Sequence, residues 1–514
     1  MKNNAYLPTI GLEIHVQLKT RSKMFCGCEN NSWKIGLEEI KPNTAICPVC
    51  TGQPGSLPVI NNEAVKMAVK AGLALNCTLA KKSKFDRKNY FYPDLPKGYQ
   101  ISQYDEPLCK NGKLEIENHR RGENNTTVGI TRIHLEEDTA RSIHPSGQKY
   151  SLIDFNRSGI PLMELVTKPD LHTAYEAKEF CQELQQIFKS LKISDAAMEK
   201  SQMRCEVNIS LAPKTQITTT SKLGAKVEIK NLNSFKSVER SIEYEILRQS
   251  KLLSAGKKII SETRGWHEKE QKTIVQRSKE EAHDYRYFPE PDLEPIKFDQ
   301  AYINKIKKES VEFPRAKIER FEKQYAFLKS DARILIANPD LADFAENVMS
   351  ELRVWLVDLD EMEFDEDVAW QKHKKKLSKL TANWLINKLG GLLIAQKLTI
   401  TSSKISPENF AEFITLIYKS RVNAKTAQNL LNIMLKTGGD PSDILEDEGL
   451  YLLENVADLE PIVDKVIRDN PRQVKEFQAG KQTLIKFFIG RTMKESRGKA
   501  DPKMAEEIFL QKLS

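Results

Sequence analysis

A chain of 514 residues is long enough for about three domains at roughly 150 residues each. Its 40% apolar and 29% charged composition suits a soluble globular protein with a sizeable core, and a net charge of +8 permits a polyanionic partner without requiring one. No run of about 18 apolar residues is present, which excludes a spanning helix, and the opening MKNNAYLPTIGLEIHV has neither secretory nor transit character. A reducing, cytoplasmic setting is expected.

In chain order, residues 10–18 (IGLEIHVQL) alternate as a strand does, and Asn62 to Leu75 reads as a helix. Strand patterns return at 128–138 (VGITRIHLEED), 203–211 (MRCEVNISL) and 225–232 (AKVEIKNL), with a helix over Ala174 to Leu191. This mixture predicts an α+β domain on a largely antiparallel sheet. The Pro-rich stretch Pro289 to Pro295 breaks both periods and marks a domain boundary. Beyond 300 the pattern turns helical, as in Pro339 to Leu352, Ala382 to Lys397 and Pro407 to Lys419, the last with Ser406 as N-cap. Residues 358–380, acidic and then basic, read as a solvated loop or helix pair.

Cys26-Gly-Cys28 and Cys47-Pro-Val-Cys50 are two short knuckles. Four thiolates so spaced can close a tetrahedral shell around Zn²⁺ and leave no open position, which makes such a metal structural. The alternative is four ordinary reduced cysteines, with one pair redox-active. Cys77, Cys109, Cys181 and Cys205 lack partners at ligand spacing and read as buried small residues.

Residues two apart share a strand face. That sets Glu13, His15 and Gln17 opposite Leu12, Ile14 and Val16, and it sets Arg204, Glu206 and Asn208 together. Glu228 shares its face with Lys226 and Lys230, and the strand from Ile130 ends in Glu136-Glu137-Asp138. If these strands pair, their polar face is either a solvated exterior or a site whose carboxylates hold Mg²⁺ while the cations hold phosphate. Lys84 to Gln100 packs five aromatics, four cations and two prolines into 17 residues. Such a rigid loop either stacks a base and holds phosphate or packs over the core. No P-loop, dinucleotide-binding fingerprint or nucleophile elbow stands in the chain.

Several segments together resemble one family. They are Ile10 to Val16, Lys84 to Gln100, Ile130 to Asp138, Asp154 to Glu164, Lys230 to Phe235, His283 to Asp292, Leu380 to Leu385 and Met493 to Lys499. The family is that of the B subunits of heterotrimeric aspartyl/glutamyl-tRNA amidotransferases, and the resemblance covers nearly the whole chain. It implies a glutamine-synthetase-like cradle over 1–295 with a zinc knuckle at 26–50. A helical domain over 296–405 and a tRNA-holding tail domain over 406–514 follow, the tail with cations from Arg468 to Lys499. The implied chemistry is ATP-dependent phosphorylation of the side-chain carboxylate on misacylated Glu-tRNA or Asp-tRNA, then displacement of phosphate by ammonia.

By the same resemblance, Glu13, His15, Glu137 and Glu228 match the magnesium positions, with Glu206 beside them. Strict alternation sets Glu137 with Ile133 and Leu135, so a strand end or bulge near Leu135 is expected, with Glu136 as the alternative. Lys84, Tyr90 and Lys97 are implied to line the ammonia route and phosphate site, with Arg204 and Lys226 as further cations for nucleotide. The four cysteines fit the zinc-bearing branch, and the insert at 358–380 departs from shorter members. The chain lacks a Ser-rich amidase signature, which implies a glutaminase A subunit and a small C subunit as partners. A non-catalytic, zinc-stabilised RNA-binding protein and a free-standing carboxylate kinase are the competing readings.

Overall fold

The alternation at 10–18 forms a strand. In the computed structural model, which describes residues 5–31, 33, 36, 39–117, 125–214, 223–278, 284–309, 312–355, 366–449, 456–496 and 499–513, β1 spans Tyr6–Gln17. It buries Ile10, Leu12, Ile14 and Val16 completely or nearly so and turns Glu13 and His15 to the opposite face. Each such side chain removed from water stabilises the fold by about 1.5–3 kcal/mol.

The strands that follow are β2 (Thr78–Leu79), β3 (Lys82–Ser83), β4 (Asp86–Asn89), β5 (Tyr99–Ser102), β6 (Cys109–Ile116), β7 (Thr126–Glu137), β8 (Arg141–Ile143) and β9 (Leu152–Asp154). Then come β10 (Pro161–Thr167), β11 (Met203–Pro213), β12 (Val227–Leu232), β13 (Glu262–His267), β14 (Lys272–Ser278), β15 (Phe288–Pro289) and β16 (Ile296–Lys297). Nine of them make one sheet in the order β14-β13-β12-β11-β1-β10-β7-β6-β2, and β15-β4-β5 form a smaller one. Neighbours in the large sheet run antiparallel except β12 and β13, which run parallel.

Three helices cover the apolar face. Asn62–Ala74, Ala174–Ser190 and Phe235–Ser254 send Val65, Phe180, Leu184, Val238 and Ile242 into the core that β1 begins. The second starts with a capping box. Thr173 Oγ1 accepts from the Glu176 amide at 3.1 Å, and the Glu176 carboxylate accepts from the Thr173 amide at 2.9 Å.

Two compact units divide at Phe313/Pro314. The first therefore continues past the boundary expected at 295. Prolines stop a helix but are tolerated at a sheet edge, and here β15 pairs with β4 and β16 with β3. Arg87 grips Glu290 with two hydrogen bonds of 2.7 and 2.8 Å.

The second unit is helical and holds two cores, one within residues 318–445 and one within 459–513. The division expected at 405/406 falls inside the former. Ser406 does cap the helix Pro407–Tyr418, but Phe410 and Phe413 of that helix pack on Phe344 and Trp384 at 5.8 and 5.1 Å. Of the charged insert, 358–365 lies outside the described residues. Its basic half belongs to the helix Glu366–Ala382, which buries Trp370 and Leu377.

Glu412, on the helix Pro407–Tyr418, is buried, accepts a hydrogen bond from Ser442 and faces Asp440; burial lifts its carboxyl to about 7. A carboxyl lifted in the folded state favours folding fully below its ordinary value of 4.5, and that contribution is lost as pH rises through 7. Glu412→Gln should therefore be more stable than wild type at pH 8, by on the order of 3 kcal/mol. The gap should close toward pH 4.5 in thermal unfolding. A gap independent of pH would refute the assignment.

Candidate active site

The polar face of the sheet owes its order to strand register. His15 on β1 stands directly opposite Arg204 on β11 and Glu164 on β10, and Glu164 stands opposite His134 on β7. Side chains directly opposite one another share a face, so Arg204, His15, Glu164 and His134 form a row across four strands. The next row pairs Glu13 with Glu206. Glu136 enters from a third row, through Leu162 opposite it on β10 and Gln17 beyond on β1.

These groups touch. His15 Nε2 lies 3.3 Å from Glu164, 3.5 Å from Glu136 and 4.0 Å from Glu13, and His134 Nε2 lies 3.3 Å from Glu164. Lys230 Nζ bridges Glu206 at 2.7 Å and Glu228 at 3.6 Å, and Thr263 Oγ1 donates to Glu228 at 2.7 Å. Burial alone would lower the His15 pKa, but the Glu164 hydrogen bond and the charges of Glu136 and Glu164 raise it to about 9. Burial, and then the neighbouring Glu164, lift Glu13 above the usual carboxylate range. Glu164 itself is held low by His134 and His15, against its burial.

Donor atoms of Glu13, His15 and Glu164 lie within 4.8 Å of one another, as do those of His134, Glu136 and Glu164. Hard carboxylate oxygens at that spacing fit a Mg²⁺ that keeps part of its water shell. Among the described residues, His134 Nδ1, Arg204 Nε and Asn208 Oδ1 are buried on this sheet without a hydrogen-bond partner. Buried polar atoms seldom stay unpaired, so the face fits a polar ligand better than bare solvent.

The structure redistributes several expected residues. No bulge occurs near Leu135. Glu137 continues the regular register opposite Pro161, and the irregularity lies opposite Val166 and Thr167, where Thr131 is the extra residue. That shift carries Arg132, His134 and Glu136 onto the polar face and leaves Glu137 on the other, bonded to Lys97 and to the Ile101 amide. Glu228 lies on the polar face but in neither donor group above.

Lys84 is taken up by Asp86 and Asp105 at 2.7 and 2.8 Å, Arg204 bonds Asp138 at 2.7 Å, and Lys226 is exposed ahead of β12. Tyr90 packs edge-on against Tyr285 at 5.9 Å. Sequence reasoning passed over Glu164, His134 and Lys88. Burial alone would lower the Lys88 pKa, but Glu136, Tyr287 and Glu164 raise it above the usual value. One signal was available: β10 reads PLMELVT, a single charge in an otherwise apolar strand.

The four knuckle cysteines converge, with every Sγ within 4.8 Å of the others. Ligands of a tetrahedral Zn–S shell stand roughly 3.8 Å apart, so the set fits zinc after slight contraction. Lys23, 1% exposed, reaches in from beneath. Its Nζ donates to Ala45 O at 2.8 Å and lies 3.6 Å from Cys50 Sγ. The Cys26 hydrogen bond holds the Cys50 thiol down to about 4, against burial, with Lys23 adding to the effect. Second-layer partners of this kind are commonly worth 10–100-fold in metal affinity. In protein loaded with zinc at these four thiolates, Lys23→Met should lose the metal to a chelator at least tenfold faster than wild type. Equal release rates from both proteins would remove Lys23 from the metal's support.

A family profile described as "GatB/GatE catalytic domain" matches residues 8–304, and one described as "GatB domain" matches 368–513. The B subunit of the aspartyl/glutamyl-tRNA(Asn/Gln) amidotransferase of Persephonella marina is 44% identical over 502 residues, 98% of each chain. The corresponding proteins of Carboxydothermus hydrogenoformans and Thermotoga maritima are 43% and 42% identical over 512 residues, 99% of each chain. The first profile ends within the sheet-bearing unit and spans the whole polar face, and the relatives align from end to end. The chain belongs to the family of aspartyl/glutamyl-tRNA(Asn/Gln) amidotransferase B subunits.

Proposed function

We propose that the chain converts misacylated Glu-tRNA(Gln), Asp-tRNA(Asn) or both into the corresponding Gln-tRNA and Asn-tRNA at the expense of ATP. The reading rests on one observation: a carboxylate-imidazole row, flanked by cations, on the polar face of a sheet whose relatives are named as amidotransferase subunits. A side-chain carboxylate oxygen of the aminoacyl group attacks the γ-phosphorus and ADP leaves. Ammonia then attacks the acyl carbon and phosphate leaves, giving the amide. Charge develops on phosphoryl oxygens in both steps, so fixed cations are what the site must supply.

Glu13, His15 and Glu164 on one side of the row, and His134, Glu136 and Glu164 on the other, would hold Mg²⁺, which when bound neutralises phosphate charge. Lys88, facing Glu136 and Glu164, and Lys230, bridging Glu206 and Glu228, would orient the phosphates. Lys97 lines a cavity of about 190 Å³ with Val49, Gly52, Tyr99 and Ile101, which suits a route for ammonia. In this reading the fold is a glutamine-synthetase-like cradle and the cysteine knuckle is its structural zinc site. A glutaminase A subunit and a small C subunit complete a heterotrimer, and the C-terminal helices hold tRNA.

The test is conversion of radiolabelled Glu-tRNA(Gln) by the chain co-purified with its A and C partners, with ATP, Mg²⁺ and ammonium chloride. Wild type should form Gln-tRNA(Gln). Glu164→Gln and Glu228→Gln should each lose at least 100-fold in rate, about 2.7 kcal/mol or more of barrier, with tRNA binding retained. Well-folded wild type that binds tRNA but forms no amide would leave the RNA-binding scaffold as the better reading. Full activity in both variants would keep the function and discard this face as its site.

A further inference from the structure

Four tyrosines make a continuous ledge beside the carboxylate face. Tyr104 stacks flat on Tyr287, with centroids 4.2 Å and planes 10° apart. Tyr287 meets Tyr285 edge-on at 6.1 Å, and Tyr285 meets Tyr90 at 5.9 Å. Lys88 Nζ lies 4.9 Å from the Tyr285 ring and faces Glu136 and Glu164, which ties the inner end of the ledge to the site. Ser102 Oγ donates to Glu136 at 3.2 Å. Tyr104 is two residues further on, so its backbone lies within about 7 Å of that anchor.

The ledge is held by a strained turn. Arg286, between Tyr285 and Tyr287, has φ +47°, a region that a non-glycine residue adopts only when its surroundings enforce it. Asn89 enforces it here. Its amide donates to Tyr285 O at 2.9 Å and its Nδ2 to Arg286 O at 2.7 Å. At the outer end, the Tyr104 amide donates to Asp86 at 3.1 Å, and Asp86 is itself fixed by Lys84. Tyr104 is still 59% exposed with one face covered by Tyr287, so its other face is open.

A fixed aromatic ring with one open face is a stacking surface for a nucleobase. We infer that the open face of Tyr104 stacks the adenine ring of an adenosine whose ribose side, carrying the triphosphate of ATP or the aminoacyl ester of tRNA, points toward the carboxylate row. The inference rests on the function proposed above, where adenosine has two sources, ATP and the 3′-terminal adenosine of tRNA.

The two sources separate in binding measurements on the full chain with its partner subunits, which need no turnover. Kd for a fluorescent methylanthraniloyl-ATP and Kd for tRNA with and without its terminal adenosine are read in wild type, Tyr104→Ala and Tyr104→Phe. The alanine variant should bind one of the two ligands roughly tenfold more weakly, with the phenylalanine variant within about twofold of wild type. Loss confined to nucleotide assigns the ring to ATP. Loss confined to tRNA, and absent when the terminal adenosine is missing, assigns it to the tRNA end. Kd values within about twofold of wild type for both ligands in Tyr104→Ala overturn the inference. Failure of amide formation by wild type bears on the proposed function and leaves these titrations readable.

Discussion

Pairing of β1 with β10 on one side and β11 on the other sets everything on the polar face, because strand register fixes which side chains stand abreast. A slip of one residue along β1 would send His15 and Glu13 into the apolar core and Ile14 out of it. The apolar half of the same alternation resists that slip. Ile10, Leu12, Ile14 and Val16 are all fully buried, and exposing even two of them would cost several kcal/mol. Core packing thereby positions polar-face groups that contribute little to packing themselves.

Gathering so many carboxylates is unfavourable in isolation, since like charges a few ångströms apart repel strongly where water is scarce. The face offsets this with cations placed between them. His15 is raised to about 9 and Lys230 sits between two carboxylates. The result is a surface of interleaved charges on which, among the described residues, Asn208 Oδ1, His134 Nδ1 and Arg204 Nε stay unpaired. Such a surface accommodates a cation or a phosphate with little rearrangement, which is the condition for electrostatic stabilisation of a transferring group.

Legibility in the sequence followed periodicity. β1 and β11 alternate cleanly, so Glu13 with His15 and Arg204 with Glu206 could each be set on one face of their strand from sequence alone, whereas β12 carries an irregularity after Ile229 and the common face waited on the pairing. β10 is buried along nearly its whole length and does not alternate, so Glu164 stood out only as the lone charge of PLMELVT and not by a face pattern. In β7 a single extra residue at Thr131 reverses the alternation that follows it. The apolar residues Ile133 and Leu135 already set Glu137 on their own face and Glu136 on the other, and it was the family resemblance that favoured Glu137 against the alternation. The four cysteines were legible because ligand spacing is itself a sequence property. The unit boundary was not, because prolines read as breakers also serve as edge-strand residues.

The parallel step between β12 and β13 has a consequence for how the chain assembles. Parallel neighbours cannot be joined by a hairpin, so the chain must leave the sheet and return. Here the helix Phe235–Ser254 makes that excursion, burying Val238 and Ile242 against the core before β13 begins. That closure is short beside those of β1: Val227 pairs with Glu262, whereas Glu13 pairs with Val166 and Glu206. Loop-closure entropy places the longest-range pairings latest, so it is β1, in the middle of the sheet, whose edges wait longest for their partners.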